Sequence, residues 1–187
     1  LSEIIKSHAH ELLSRQEIKH ILDNLKKQGV SIVDEAVPNL VSLGDLQHVL
    51  KNLLREGVPI IDMELILETL SDYAPVTKDT DMLTEYVRQA LKRTISRRFS
   101  SGGQMKVITL DSEIEDIILK NIKRVEGGAY MTLDPETIQR IMAGTKEQIE
   151  KMRRLVPEPI ILTSPVVRVY YKKLLDQFYL KVAVLSY

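Results

Sequence analysis

The sequence predicts an α+β chain, in which a helical bundle is followed by a small α/β subdomain with a mainly parallel sheet. Two observations predict this class. Apolar residues recur at helical spacing through residues 15–100, which is typical of amphipathic helices that bury one face. After the small, flexible run Ser100-Ser101-Gly102-Gly103, short apolar runs alternate with helical patterns, and this alternation favours parallel strands covered by helices.

Three domains follow from these patterns. Residues 1–14 are predicted to be the terminal helix of a preceding subdomain, residues 15–100 the helical subdomain, and residues 104–187 the α/β subdomain. The first residue, Leu1, is not an initiator methionine, and its apolar pattern begins without a lead-in. We therefore expect the chain to be a fragment of a longer protein.

The helical subdomain is organised around residues 42–95, which predict three amphipathic helices. The first begins at Ser42, with Asp45 as its capping-box partner, and ends at Gly57. The second begins at Asp62 and stops before Pro75, and the third continues to residue 95. Two shorter patterns precede them, a helix capped at residue 14 and a short helix over residues 31–37.

The α/β subdomain is predicted to contain strands at residues 105–110, 129–133, 160–163 and 182–185. Asp111, Asp134-Pro135 and Ser164-Pro165 are typical starts for the intervening helices. The first of these helices is expected to include Ile122 and to end at Gly127-Gly128. The inner faces of the other two are expected to include Leu155 and Phe178, respectively.

Composition excludes several classes of function. The chain has 26 basic and 26 acidic residues, so it does not have the charge of a general nucleic-acid or membrane-surface binder. It has no cysteine, and therefore no disulfide, thiolate metal site or cysteine nucleophile. No apolar run approaches the ~20 residues that a membrane-spanning helix needs.

No motif predicts catalysis. His8 and His10 are two residues apart, which points them to different sides of a helix and disfavours a zinc pair. The glycine pairs lack the residues of a phosphate-binding loop, and no serine lies in a nucleophile elbow. We predict no enzyme activity, catalytic residue, cofactor or metal. A small α/β enzyme with a helical cap remains an alternative, which a polar pocket near residues 109–111 and 163–164 would favour.

A basic cluster is the one patch that suggests an interaction. It comprises Lys92, Arg93, Arg97 and Arg98 at a predicted helix end, where positive charge is favoured by the helix dipole. A solvated helix end is one interpretation, and contact with an acidic partner or a neighbouring subunit is another. Nucleic acid ranks third, because Phe99 is the only interleaved aromatic residue.

Long runs of the chain resemble the export-gate (FlhA) family of flagellar type III protein export, and more distantly its virulence counterparts. They include Asn52-Leu53-Leu54-Arg55-Glu56-Gly57-Val58-Pro59-Ile60, Leu65-Ile66-Leu67-Glu68-Thr69-Leu70-Ser71-Asp72-Tyr73-Ala74-Pro75 and Leu83-Thr84-Glu85-Tyr86-Val87-Arg88-Gln89-Ala90-Leu91. Residues 8–13 and 184–187 are similar to the same family. One departure is Ile61, where the family commonly has arginine.

This resemblance implies a cytosolic platform at the inner face of the bacterial inner membrane, attached to a membrane-spanning part. It implies assembly into a nonameric ring, largely through the helical subdomain, and contact with export chaperones, substrates and other export-apparatus proteins. The main chaperone groove of the family involves earlier subdomains. Candidate subunit or partner contacts are Arg55, Arg88, Lys92 and Arg93. The paired glycines at 102–103 are a candidate hinge. A regulatory adaptor that binds an amphipathic helix is a further alternative.

Overall fold

A computed structural model describes residues 8–187 of the chain. These residues form two compact units that divide after Ser100, which we call the helical unit and the α/β unit. The predicted terminal helix falls partly on residues 1–7, which lie outside the described residues, while residues 8–12 are helical.

The helical unit contains α1 (Arg15–Lys27), α2 (Ile32–Glu35), α3 (Leu43–Arg55), α4 (Met63–Tyr73), α5 (Thr80–Ala90) and α6 (Lys92–Phe99). The predicted caps are confirmed. The Ser14 hydroxyl accepts the Glu17 N–H at 3.1 Å, and the Ser42 hydroxyl accepts the Asp45 N–H at 3.0 Å. Each cap satisfies a backbone donor that the first helical turn leaves free.

Two helix boundaries differ from the prediction. The predicted third helix is divided at Leu91, whose ψ of 13° redirects the chain between α5 and α6. The short helix α2 ends at Glu35 rather than at residue 37. Val37 is extended, with φ −121° and ψ 124°, because the following Pro38 disfavours helical geometry at the residue before it.

The core of the helical unit lies between α3, α4 and α5. Its fully buried side chains include Leu46, Leu50, Leu53, Ile66, Leu67, Leu70 and Val87. Burying one such side chain stabilises a fold by roughly 1.5–3 kcal/mol, so these helices are stable together rather than singly. Tyr73 and Tyr86 add a stacked pair, with ring centroids 3.9 Å apart.

The α/β unit contains β1 (Ile108–Thr109), α7 (Ser112–Lys120), β2 (Ile122–Val125), β3 (Gly128–Met131), α8 (Pro135–Arg153), β4 (Ile160–Thr163), α9 (Pro165–Gln177) and β5 (Ala183–Ser186). A parallel sheet has the strand order β1-β4-β5, with Ile108 beside Ile161 and Ile160 beside Ala183. The predicted fold class is therefore confirmed. The hydrophobic core of the α/β unit includes Ile118, Ile141, Ile161, Val167, Tyr171, Leu175 and Val184.

Four details of the α/β unit were predicted wrongly. Strand β1 covers two residues rather than 105–110. Ile122 begins β2 instead of extending α7, since the Asn121 side chain donates to the Ile117 carbonyl at 2.8 Å and ends the helix. Strands β2 and β3 form a separate antiparallel hairpin. Leu155 and Phe178 lie beyond the ends of α8 and α9 and are exposed rather than turned inward.

Candidate functional site

A cleft that is partly open to solvent lies in the helical unit where α5 passes into α6, and we call it the basic cleft. The amino end of α4 contributes its opposite side. The cleft is lined by Asp62, Leu65, Ala90, Leu91, Lys92, Arg93, Thr94 and Arg97. Three cations and one carboxylate give it net positive charge, which favours a partner surface that carries acidic groups.

The structure divides the four-residue basic cluster. Lys92 and Arg93 are exposed and line the basic cleft together with Arg97. Arg98 instead lies against Gly57 at the end of α3, where a β-carbon would overlap the guanidinium. Gly57 has φ of 68°, so glycine suits this position both by conformation and by space. The basic cleft thus has three of the four cations.

Arg55, another candidate contact, is exposed at the last residue of α3 and is not among the residues that line the basic cleft. Its guanidinium donates to the Asn52 side-chain oxygen at 3.3 Å. The Asn52 amide in turn donates to the Thr84 hydroxyl of α5 at 3.2 Å. Arg55 is therefore an exposed cation connected to the interface between α3 and α5.

Arg88 is placed differently from the other three candidate contacts, because its side chain is only 7% exposed. Its guanidinium lies 3.3 Å from the Glu56 carboxylate, which is 16% exposed. Asn52 on α3 and Glu56, which directly follows α3, are one helical turn apart, as are Thr84 and Arg88 on α5, so the two helices meet through two matched polar contacts. Neither helix alone indicates this pairing, because each partner lies on the other helix.

An exposed apolar residue directly precedes the basic cleft in the chain. Ile61 is 90% exposed and neighbours Asp62, which lines the cleft. An apolar side chain in water beside a charged cleft resembles the composition of protein interfaces, where an apolar centre is surrounded by polar groups. Sequence reasoning identified Ile61 only as a departure from the family pattern.

The carboxyl edge of the parallel sheet is where a polar pocket would favour the alternative of a small α/β enzyme. Thr163 there is fully buried, and the Ser164 N–H donates to the Glu115 carboxylate at 2.7 Å. The buried Arg168 donates to the Val184 carbonyl at 3.0 Å. The Glu115 carboxylate and the Arg168 guanidinium thus make hydrogen bonds that connect α7, α9 and β5, whereas the buried Ser164 hydroxyl has no hydrogen-bond partner among the described residues.

Two shifted pKa values have structural causes. Burial raises the pKa of Tyr171, and its hydrogen bond with the Thr145 hydroxyl, 2.6 Å long, opposes that shift. Hydrogen bonds from Thr137 lower the pKa of Asp134, which caps α8. Within residues 8–187, no group of three or more His, Cys, Asp or Glu side chains is arranged to hold a metal ion. In the same range, no helix combines the length and apolar character that crossing a membrane requires.

The candidate hinge forms a tight turn. Gly102 and Gly103 have φ of 59° and 76°. The Ser101 N–H donates to the Gln104 carbonyl at 3.0 Å, and the Gln104 N–H donates to the Ser101 carbonyl at 3.1 Å. Bending at this point would require both hydrogen bonds to open, and the hinge itself stays a prediction.

Comparison with known proteins relates the whole chain to protein-export components. The model of the FHIPEP family matches residues 1–187. The flagellar biosynthesis protein FlhA of Bacillus subtilis is 40% identical over 188 residues, which covers 100% of this chain and 28% of that protein. The invasion protein InvA of Salmonella typhimurium is 30% identical and is covered to 27%. The chain thus spans little more than a quarter of the length of these relatives.

Solved structures agree in fold and in sequence. The nonameric EscV cytosolic domain from a type III secretion system matches with a TM-score of 0.80 and 30% identity, over 96% of this chain and 53% of that one. The complex of CdsV and CdsO from Chlamydia pneumoniae matches with a TM-score of 0.84 and 34% identity, over 100% and 55%.

Proposed function

Because the chain belongs to the FHIPEP family, we propose that it forms part of the cytosolic platform of the flagellar type III protein export gate. The observation that carries this proposal is the whole-chain identity of 40% with a flagellar biosynthesis protein. By the same proposal, the chain lies at the cytoplasmic face of the bacterial inner membrane as part of a membrane-spanning protein. Its role is to bind other proteins, without catalysis.

The platform is proposed to be a ring of identical copies, since a matched cytosolic domain is nonameric. A closed ring with an odd number of copies cannot use one self-complementary patch, so each copy must present two different surfaces. We assign the basic cleft, through Lys92 and Arg93, to one of these surfaces. The exposed Arg55 is proposed to extend it, whereas the buried Arg88 would act by holding α3 against α5.

Docking of export substrates with their chaperones is the second part of the proposed function. The main docking groove of the family is expected in earlier subdomains, so most of it would lie outside this chain. A platform that binds and releases cargo needs interfaces of modest affinity. The chain is also proposed to contact other export-apparatus proteins, as CdsV contacts CdsO in the matched complex.

Charge reversal in the basic cleft tests ring assembly. Arg93→Glu would be introduced into the full-length gene, with Lys27→Glu on the exposed face of α1 as the matched control. Like charges across an interface are costly, so we expect Arg93→Glu to reduce ring particles in electron micrographs and to reduce swimming motility. The control should do neither. Normal rings and normal motility in the Arg93→Glu strain would remove the basic cleft from the ring interface.

A virulence export gate is the second candidate, favoured by the 30% identity with InvA. Expression of the parent gene in a strain without its flagellar export gate separates the two. Restored swimming supports the flagellar assignment. Restored secretion of virulence effectors in a strain without its virulence gate, with no restored swimming, would support the alternative.

A further inference from the structure

A second surface stands out in the α/β unit, at the amino-terminal edge of the parallel sheet. Residues 154–159 lead into β4 and residues 178–182 lead into β5, and these strands are neighbours with Ile160 beside Ala183. Both segments therefore lie at the same edge of the sheet. They expose Leu155 to 67%, Phe178 to 41% and Tyr179 to 90%, three large apolar side chains that we call the edge patch.

Tyr179 is the most unusual member of the edge patch. Its φ is 56°, and it is the one described residue other than glycine with positive φ. Its N–H donates to the Asp176 carbonyl at 3.0 Å, and the next N–H, of Leu180, donates to the Leu175 carbonyl at 3.0 Å. This arrangement ends a helix and usually has glycine at the left-handed position, because a side chain strains the backbone there.

Neither backbone geometry nor packing explains a tyrosine at this position. The left-handed backbone favours glycine, and a ring that is 90% exposed gains almost no packing energy. A strained residue that the fold does not require is a reason to consider binding. Tyrosine and phenylalanine are enriched at protein interfaces, and tyrosine is also among the residues that contribute most to binding energy.

The charged residues at this edge indicate the chemistry of the partner. Three exposed cations lie in the segments that lead into β1, β4 and β5, namely Lys106, Arg154 and Lys181. Glu158 is the exposed carboxylate in these segments, whereas Arg153 is paired with Glu150 of α8 at 2.7 Å. The three apolar side chains of the edge patch therefore lie beside charged residues whose net charge is positive. Such a surface is complementary to a partner whose apolar groups are flanked by carboxylates.

We propose that the edge patch is a docking surface for an amphipathic segment of another protein, with apolar side chains on one face and acidic side chains beside them. This inference rests on the proposed function, for which it names a docking surface and the chemistry of its partner. An anionic membrane would also attract aromatic and basic groups. Membrane-binding patches, however, typically cluster about 4–8 cations, whereas three cations and one carboxylate lie beside the edge patch.

The test measures binding of a fluorescent helical peptide to the 187-residue chain by anisotropy. The peptide has leucine and phenylalanine on one face and glutamate on its flanks, and a twin peptide has lysine in place of glutamate. We expect the acidic peptide to bind about tenfold more tightly than its twin. Equal affinity of the two peptides would overturn the assignment of an acidic partner.

The variant Tyr179→Gly separates binding from folding. Glycine is favoured at a left-handed position, so the melting temperature should stay the same or rise, while affinity for the acidic peptide falls about tenfold. Tyr187→Gly, which removes a 75% exposed ring at the opposite edge of the sheet, is the matched control and should change affinity less than twofold. Unchanged affinity in Tyr179→Gly would remove the edge patch as the docking surface.

Two further measurements distinguish a protein segment from a membrane or a second copy of the chain as the partner of the edge patch. Binding to phosphatidylserine vesicles that is lost in Tyr179→Gly would overturn the proposal in favour of a membrane. Concentration-dependent self-association in the ultracentrifuge that is lost in the same variant would overturn it in favour of a second copy of the chain. Ring assembly through the basic cleft is tested by substitutions in the helical unit, so failure of the two proposals is distinguishable.

Discussion

The buried pair of Glu56 and Arg88 allows a test of how the helical unit is held together. The two side chains join the end of α3 to α5 across 3.3 Å and are 16% and 7% exposed. Replacing arginine in Arg88→Met keeps a long side chain but removes the positive charge. A carboxylate would then remain in a largely buried position with its charge no longer compensated by this arginine.

The burial of the two side chains sets the loss of stability that we expect for Arg88→Met. Removing one partner of a buried ion pair typically costs about 3–5 kcal/mol. The residual exposure of Glu56 lets water reach the carboxylate, so we expect a loss near the lower end, about 3 kcal/mol of the free energy of unfolding. The double variant Glu56→Met/Arg88→Met replaces both charges with apolar groups and should return to within about 1 kcal/mol of the wild type.

Urea unfolding of the chain, followed by circular dichroism, measures these differences. The double-variant cycle isolates the coupling between the two side chains from their other contacts. A loss below about 1 kcal/mol in Arg88→Met, or a double variant no more stable than the single one, would refute the account. If the double variant also assembles rings normally, Arg88 acts as an internal support rather than as a subunit contact.

Three further predictions concern the α/β unit. Burial raises the pKa of the Tyr171 hydroxyl in the folded state. The neutral side chain therefore makes its full contribution to the free energy of unfolding below the unfolded-state pKa of about 10, and that contribution is lost as pH rises through the folded-state pKa. Above about pH 10, urea unfolding should show the wild type losing stability relative to Tyr171→Phe. Glu115→Ala removes the acceptor for the Ser164 N–H and should cost about 1–2 kcal/mol by the same measurement, whereas Glu113→Ala on the same helix should cost little. Gly103→Pro should disrupt the turn at φ 76° rather than stiffen it, seen as altered amide NMR shifts at residues 101–104, because proline requires φ near −65°.

Helix starts were predictable because a cap is a local interaction. Ser14, Ser42, Asp111 and Asp134 each accept a backbone N–H two or three residues ahead, and the sequence shows each cap directly. The alternation of strands and helices after residue 103 likewise predicted the parallel sheet. Both signals depend on residues close together in the chain, where intrinsic preference and tertiary structure agree.

Features that depend on distant residues were not predictable. The hairpin of β2 and β3 was missed because Ile122 suits the helical apolar pattern and the strand equally well. Leu155 and Phe178 continue the apolar patterns of their helices, but each follows the last helical residues and is exposed. Whether each helix continues for another turn depends on tertiary contacts that the local sequence does not show.

The candidate site likewise combines features that the sequence shows with features that only the structure shows. The basic cluster was visible in sequence, and three of its cations do line one cleft. The burial of Arg88 was not visible, since an arginine on an amphipathic helix usually lies in water and its partner Glu56 belongs to another helix. The exposure of Tyr179 and its left-handed backbone also required the structure.

The order of strands in the parallel sheet has a consequence for biosynthesis. Strand β4 lies between β1, made much earlier, and β5, so the sheet cannot close on a ribosome until residues 183–186 have left the exit tunnel. The helices of the first hundred residues make shorter-range contacts and can mature while translation continues. Nascent chains held on the ribosome by a carboxyl-terminal linker, so that the residues up to 180 have left the tunnel, should therefore resist protease in the first unit and be cleaved in the second.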